Sequence, residues 1–165
     1  MELRPARPHE LPLLREVERA SGEPFRAHGM PEIADDEPLL LTELQRLHLW
    51  VADKDDTPIA WVGVEVLDNA AHIAQLSVHP AHARQGIGAQ LLDHVQAWAA
   101  EHDLTALTLT TFRRIPWNEP YYRRLGFTEP AHPSPGLQAV LAAEAERGLR
   151  PEDRICLHRP VSERA

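Results

Sequence analysis

The pattern of apolar and polar positions begins with residues 3–7, which read as a short first strand. Leu11, Leu14 and Val17 recur at helical spacing within residues 10–21, and Gly22 stands where that helix would stop. Residues 22–38 contain Pro24, Gly29, Pro31 and Pro38 and read as a turn-rich connection, with a second helix predicted over 39–47. Residues 49–53 and 58–67 read as strands joined by the Asp55-Asp56-Thr57 turn, and Asp68-Asn69 turns the chain into a strand over 71–78. The helix predicted over 86–101 lines up Ile87, Leu91, Val95 and Trp98 on one stripe. A strand over 104–111 alternates Leu107 and Leu109 with threonines, and a short helix over 119–125 is closed by Gly126. A surface loop over 130–136, a helix over 139–147 and a closing strand over 155–159 complete the chain.

Hairpins come first and a strand–helix–strand crossover follows. That order predicts an α/β fold with a mixed, mostly antiparallel sheet and flanking helices, and excludes a doubly wound sheet. The 165 residues carry no repeat, no low-complexity segment and no compositional break, so a single domain over 1–165 is expected.

Composition removes several classes of function. No apolar run approaches the ~18 residues of a membrane span, and Met1-Glu2-Leu3-Arg4-Pro5 lacks a leader's apolar stretch. A cytoplasmic protein without a membrane partner is therefore expected. One cysteine, Cys156, excludes an internal disulfide and any multi-cysteine zinc site. The formal charge of −8 argues against nucleic acid as a partner. Residues 78–127 nevertheless hold five arginines against four acids, so the acidity lies in the rest of the chain. That split suits an anionic ligand on one segment and a cationic or neutral one elsewhere, although solvated surface charge would look the same.

The chemistry concentrates in residues 76–92, Leu-Ser-Val-His-Pro-Ala-His-Ala-Arg-Gln-Gly-Ile-Gly-Ala-Gln-Leu-Leu. A strand ends near a proline, crosses a short loop and enters an amphipathic helix through Gly86 and Gly88. Free amides at a helix N-terminus attract phosphate, and glycine lets the backbone come close to it. A Gly-x-Gly pair alone is weak evidence. Neither Gly-x-Gly-x-x-Gly in a first βαβ unit nor a Gly-Lys-Ser/Thr turn accompanies it.

A second element lies about one strand downstream: Pro116-Trp117-Asn118-Glu119-Pro120-Tyr121-Tyr122-Arg123-Arg124-Leu125-Gly126-Phe127. Together the two resemble the GNAT superfamily of acyl-CoA-dependent N-acyltransferases. Residues 76–92 look like its pyrophosphate motif, and residues 122–127 look like its Tyr-x-x-Leu-Gly-Phe segment. The element order agrees along nearly the whole chain, while the motifs themselves cover about a fifth of it.

The resemblance implies the GNAT fold, acetyl-CoA as co-substrate and a primary amine acceptor, either a small molecule or a peptide. It assigns the pyrophosphate to the amides of Ala83, Arg84, Gln85, Gly86, Ile87, Gly88 and Ala89. Ala83 departs from the Arg or Gln usual there, which weakens one side-chain contact in a grip made mainly by main chain. Leu76, Ser77 and Val78 fall where the family splays two strands to free backbone groups for the pantetheine and the thioester carbonyl. Tyr122 matches the tyrosine that protonates the departing thiolate, with reference pKa values only ~1.5 units apart. Asn118 resembles the cofactor-contacting asparagine, although it lies closer to the tyrosine than usual, and Tyr121 can serve in either role.

For the base, many family members place a glutamate on the strand that here reads His72-Ile73-Ala74-Gln75-Leu76-Ser77, and no carboxylate is present. Glu65, which shares its alternation face with Trp61 and Gly63, is the substitute, beside His72, a water chain or a backbone carbonyl. An ordinary exposed strand glutamate would look the same. Phe25, His28 and Met30 fall in the segment that lines the acceptor site of the resembled family. His79-x-x-His82 lacks a third ligand, so no metal is expected, and Cys156 reads as a small buried apolar residue ahead of an acyl carrier. Dimers are common in the resembled family, and the sequence identifies no interface. Two rivals remain: a non-catalytic acyl-CoA-binding regulatory domain, and a nucleotide-phosphate binder of other function.

Overall fold

A computed structural model describes residues 1–161. Six strands, β1 (Glu2–Pro5), β2 (His48–Lys54), β3 (Thr57–Leu67), β4 (Ala70–Val78), β5 (Ala106–Phe112) and β6 (Arg154–Pro160), form one sheet in sequence order. The pairs β1–β2, β2–β3 and β5–β6 are antiparallel, and β4–β5 is parallel. The sheet is thus mixed and mostly antiparallel, flanked by seven helices among the described residues: α1 (Leu11–Gly22), α2 (Pro24–Ala27), α3 (Pro31–Ala34), α4 (Leu41–Leu44), α5 (Ile87–Glu101), α6 (Glu119–Arg124) and α7 (Pro135–Glu146). Both hairpin turns use left-handed pairs, Asp55-Asp56 at φ 53° and 62° and Asp68-Asn69 at φ 50° and 65°. Short polar side chains tolerate that region, which matches the right-handed twist of the strands.

The described chain gathers into two compact units, neither contiguous in sequence. One comprises Met1–Glu65 with Ala74–His94, and the other Val66–Ile73 with the chain from Val95 onward.

In the first unit Leu11, Leu14 and Val17 face Leu44, Val51 and Trp61, all buried. The helical spacing predicted for residues 10–21 is the spacing of that buried face. Beside it Arg4 is itself buried and donates to Glu10 at 2.7 and 2.9 Å and to Asp53 at 2.8 Å. Its guanidinium holds the Glu10 carboxyl down at about 2. The turn-rich connection contains two one-turn helices, α2 and α3. The helix predicted over 39–47 shrinks to the single turn α4. Long-range contacts explain that shortening: Glu18 of α1 accepts the Leu39 N–H, and the Arg15 Nε donates to the Leu39 carbonyl at 2.9 Å. Leu39 is held in place by side chains of another helix, so its apolar spacing with Leu44 needs no continuous helix.

Along α5 the buried apolar side chains are those of Ile87, Leu91, Leu92, Val95 and Ala99. Trp98, expected on that stripe, is half-buried and lies against His102, with ring centroids 4.6 Å apart and planes tilted by 31°. In the second unit β5 and β6 supply Leu107, Leu109, Ile155 and Leu157 to a core that also holds Phe127 and Leu137. Helix α7 begins at Pro135, earlier than predicted and inside the expected loop, because two groups cap it. The Ser134 Oγ accepts from Leu137 N at 3.3 Å, and Asp68 accepts from Gly136 N at 2.6 Å. Its buried Glu144 carboxylate receives the Arg154 Nε at 3.0 Å and the Thr110 hydroxyl.

Candidate active site

Strand β4 is followed at once by His79, whose N–H donates to the Ile59 carbonyl at 2.9 Å. Pro80–His82 forms one tight turn, and the His79 Nδ1 accepts from Ala81 N at 3.1 Å. Arg84 and Gly86 then take φ of 62° and 74°, folding the chain back on itself before α5 begins. Gln90 N is bonded to Gly86 O at 3.1 Å, which makes Gly86 the last residue before the helix. The amides of Ile87, Gly88 and Ala89 therefore precede the first helical donor, Gln90 N, and point out of the helix end. A Cβ built at Gly86 would meet no heavy atom within 4 Å. Ala83, Arg84, Gln85 and Gly86 are exposed, while Ile87 and Gly88 are buried. A 15-residue helix thus presents its positive end through an open, glycine-bearing turn.

The strand end beside this turn holds Leu76 and Val78 half-buried and Ser77 buried, with Gln75 Nε2 donating to Ser77 Oγ at 3.0 Å. The parallel ladder of β4 on β5 joins Ala71 to Leu107 and His72 to Thr108, near the start of both strands. Glu65 is exposed on β3. Phe25 of α2 is buried, His28 is exposed and Met30 is half-buried, so the three do not share one environment. Gly29 between them turns the chain at φ 80°.

The second element lies in the second unit. Asn118 immediately precedes α6, with its carbonyl accepting Tyr122 N at 3.0 Å. Its Nδ2 donates to the Trp117 carbonyl, whereas its Oδ1 is out of solvent and accepts no hydrogen bond among the described residues. A buried acceptor without a donor carries a desolvation cost that a bound amide or hydroxyl would relieve. Tyr122 is buried, its ring edge-on to Tyr121 at 5.3 Å and to Phe127 at 5.7 Å. Burial, with a smaller contribution from Tyr121, pushes the Tyr122 phenol above its ordinary range. The phenol holds its proton firmly at neutral pH, and its gap from a thiol is wider than reference values imply.

His72 is buried and shares a 2.9 Å hydrogen bond between Nδ1 and Thr108 Oγ1. Burial pulls its pKa down to about 4 against the opposing charge of Glu144, so the imidazole is neutral at pH 7. It is a satisfied core group. The rings of His79 and His82 lie 6.3 Å apart, and no cluster of three metal-ligating residues occurs among the described residues. Cys156 is buried, and burial raises its thiol pKa, which keeps it in the unreactive thiol form. Sequence reasoning missed Arg159, whose guanidinium reaches back 34 residues to the Leu125 carbonyl at the end of α6. No local pattern announces a partner at that separation.

A model of the acetyltransferase (GNAT) family matches residues 11–127. Among solved structures, the ribosomal-protein-S18-alanine N-acetyltransferase of Escherichia coli superposes with a TM-score of 0.69 at 18% identity, covering 99% of this chain and 96% of that one. The PaiA N-acetyltransferase of Thermoplasma acidophilum, solved with coenzyme A, gives 0.65 at 18% identity over 96% and 98%. A Mycobacterium tuberculosis protein solved with CoA gives 0.68 at 17% identity over 98% and 100%. At these identities the structural likeness establishes the fold.

Proposed function

The chain belongs to the GNAT acetyltransferase family, and from that premise we propose that it transfers an acetyl group from acetyl-CoA to a primary amine by direct attack. The carrying observation is the open turn at Gly86, where a positive φ and an empty Cβ position leave the first amides of α5 accessible to a diphosphate. The orphaned Oδ1 of Asn118 is a second fit, since it asks for a donor of the kind a pantetheine or adenine offers. Bound there, acetyl-CoA supplies the activated acyl group, and the residues of this chain do the rest.

Arg84, Gln85, Gly86, Ile87, Gly88 and Ala89 hold the pyrophosphate through their main chain, with Ala83 contributing backbone alone. The end of β4, Leu76 to Val78, offers main-chain groups to the pantetheine and to the thioester oxygen. The acceptor nitrogen bonds to the carbonyl carbon as the carbon–sulfur bond breaks. Tyr122 gives its phenolic proton to the departing thiolate and recovers one from solvent. Its raised pKa means that the proton moves only as charge builds on sulfur. The proton shed by the nitrogen leaves to water, with Glu65 the exposed carboxylate of β3 assigned to receive it. His28 and Met30 are assigned to the acceptor side, with the buried Phe25, whose carbonyl accepts from the N–H groups of both at 3.0 Å.

Calorimetric titration with acetyl-CoA, CoA and ATP tests the proposal, followed by thiol release in the presence of spermidine, kanamycin and a short peptide with a free N-terminus. Binding of both CoA species but not ATP, with turnover on an amine, is expected. Tight binding without transfer to any amine would instead make this a non-catalytic acyl-CoA sensor.

A further inference from the structure

Arg159 lies on β6, opposite Leu107 of β5, and its side chain does three things at once. Its Nη1 donates to the Leu125 carbonyl at 2.9 Å, its Nε donates to Gln96 Oε1 at 2.9 Å, and its guanidinium carbon lies 5.2 Å from the Phe127 ring centre. Leu125 closes α6, so the guanidinium satisfies a carbonyl at that helix's C-terminal end and complements the partial negative charge there. Phe127 is buried and stands edge-on to Tyr122, 5.7 Å away. The backbone between them is equally constrained: Leu125 N and Phe127 N both donate to the Tyr122 carbonyl, at 3.0 and 3.1 Å. One residue farther on, Thr128 and His158 exchange hydrogen bonds at 2.8 and 2.9 Å, which fastens the segment along β6.

We propose that Arg159 is a positioning residue for Tyr122, fixing the phenol's direction by clamping the end of α6 and the Phe127 ring against which Tyr122 rests. This inference rests on Tyr122 being the acid of the proposed reaction. The physical case is one of leverage. Helix α6 has six residues, too few to hold a rigid geometry through its own hydrogen bonds. Its position is therefore set by what grips its ends. A planar fork that donates in two directions and also rests against an aromatic ring orients the segment as a point charge does not. Gly126 belongs to the same device: at φ 92°, a Cβ there would touch Arg159 Cδ at 3.4 Å.

A kinetic cycle tests the proposal, using thiol release from acetyl-CoA with spermidine, kanamycin and the free-N-terminus peptide as acceptors. Arg159→Leu is expected to lower kcat about tenfold while KM for acetyl-CoA stays within about twofold, the sign of an interaction realised in the transition state. Arg159→Lys restores part of that loss by supplying one donor. In the Tyr122→Phe background, Arg159→Leu costs nothing further, because two residues acting through one group are not additive. Losses that multiply would overturn the positioning role and leave the acid assignment intact. An unchanged kcat in Tyr122→Phe alone, or no transfer to any of the three acceptors, would overturn both.

A second readout needs neither turnover nor a fully stable Arg159→Leu protein. The chain has two tyrosines, Tyr121 and Tyr122, so 3-fluorotyrosine labelling gives two 19F resonances, assigned through Tyr121→Phe. Arg159→Lys and Gln96→Ala are expected to shift or broaden the Tyr122 resonance more than that of Tyr121. A Tyr122 resonance unmoved in both variants would overturn the proposal.

Discussion

The indole N–H of Trp61 donates to the backbone carbonyl of Leu14 at 2.8 Å, tying the buried middle of β3 to the first helix. Trp61 is a fully buried member of the first unit's core, so this bond runs through a region without water. Trp61→Phe removes the indole donor from a carbonyl inside α1 and takes away packing volume. A loss of about 2–4 kcal/mol is expected. Urea unfolding measures it; a variant as stable as the parent would show that the Leu14 carbonyl is satisfied without the indole.

Gly86→Ala tests the turn. A left-handed alanine costs about 1 kcal/mol, and no neighbour opposes its Cβ in the free protein. Stability should thus fall slightly. Acetyl-CoA affinity should fall about tenfold, equivalent to about 1.4 kcal/mol, as the methyl occupies the space an anion would take. Equal affinity by calorimetry would place the diphosphate away from Gly86.

Tyr122→Phe removes the hydroxyl and keeps the ring between Tyr121 and Phe127. Turnover should drop about 100-fold, within the span of general acid catalysis, while acetyl-CoA binding is unchanged. Steady-state rates compared with titration calorimetry separate the two effects. A variant with parental kcat would remove the acid role.

Glu18 gives a pH signature. Burial raises its carboxyl to about 7, despite the hydrogen bond from Leu39 N and the charge of Arg15, with Asp36 and Glu43 adding to the rise. The folded protein thus keeps this proton longer than the unfolded chain, whose carboxyl titrates near its reference value of ~4.3. Between those two values the unfolded state binds fewer protons, so this group's contribution to stability is complete at low pH and is lost as pH rises toward 7. Glu18→Gln should flatten that fall, seen by thermal unfolding at pH 5 and pH 7.5. Parallel pH profiles for parent and variant would show that the Glu18 carboxyl titrates normally.

Much of the fold is legible in the residues themselves. The strands are legible as apolar runs between turn residues, to within two residues at their ends, the hairpins from Asp and Asn at left-handed turn positions, and α1 from Leu11, Leu14 and Val17. The turn at residues 83–89 is equally local, since glycine at 86 and an apolar stripe from Ile87 suffice to write a helix N-terminus. Even the early start of α7 was signalled by Ser134-Pro135, a cap followed by a first-turn proline.

The remainder depended on residues distant in sequence. Whether residues 39–47 form a helix was decided by Arg15 and Glu18, which hold Leu39 from another element. Spacing put Trp98 on the buried stripe of α5; packing chose Ala99 and left Trp98 half-buried against the His102 ring. His72 offered itself as a base by chemistry, and burial beside Thr108 made it a neutral core group. Tyr122 was marked by its motif, but the firm hold on its proton and the clamp from Arg159 exist only in three dimensions. The division has a physical cause. Periodicity and the sign of φ are properties of neighbouring residues, so the sequence states them directly. Desolvation, ring packing and charge pairing are properties of whatever the folded chain brings alongside, and only the tertiary structure decides them.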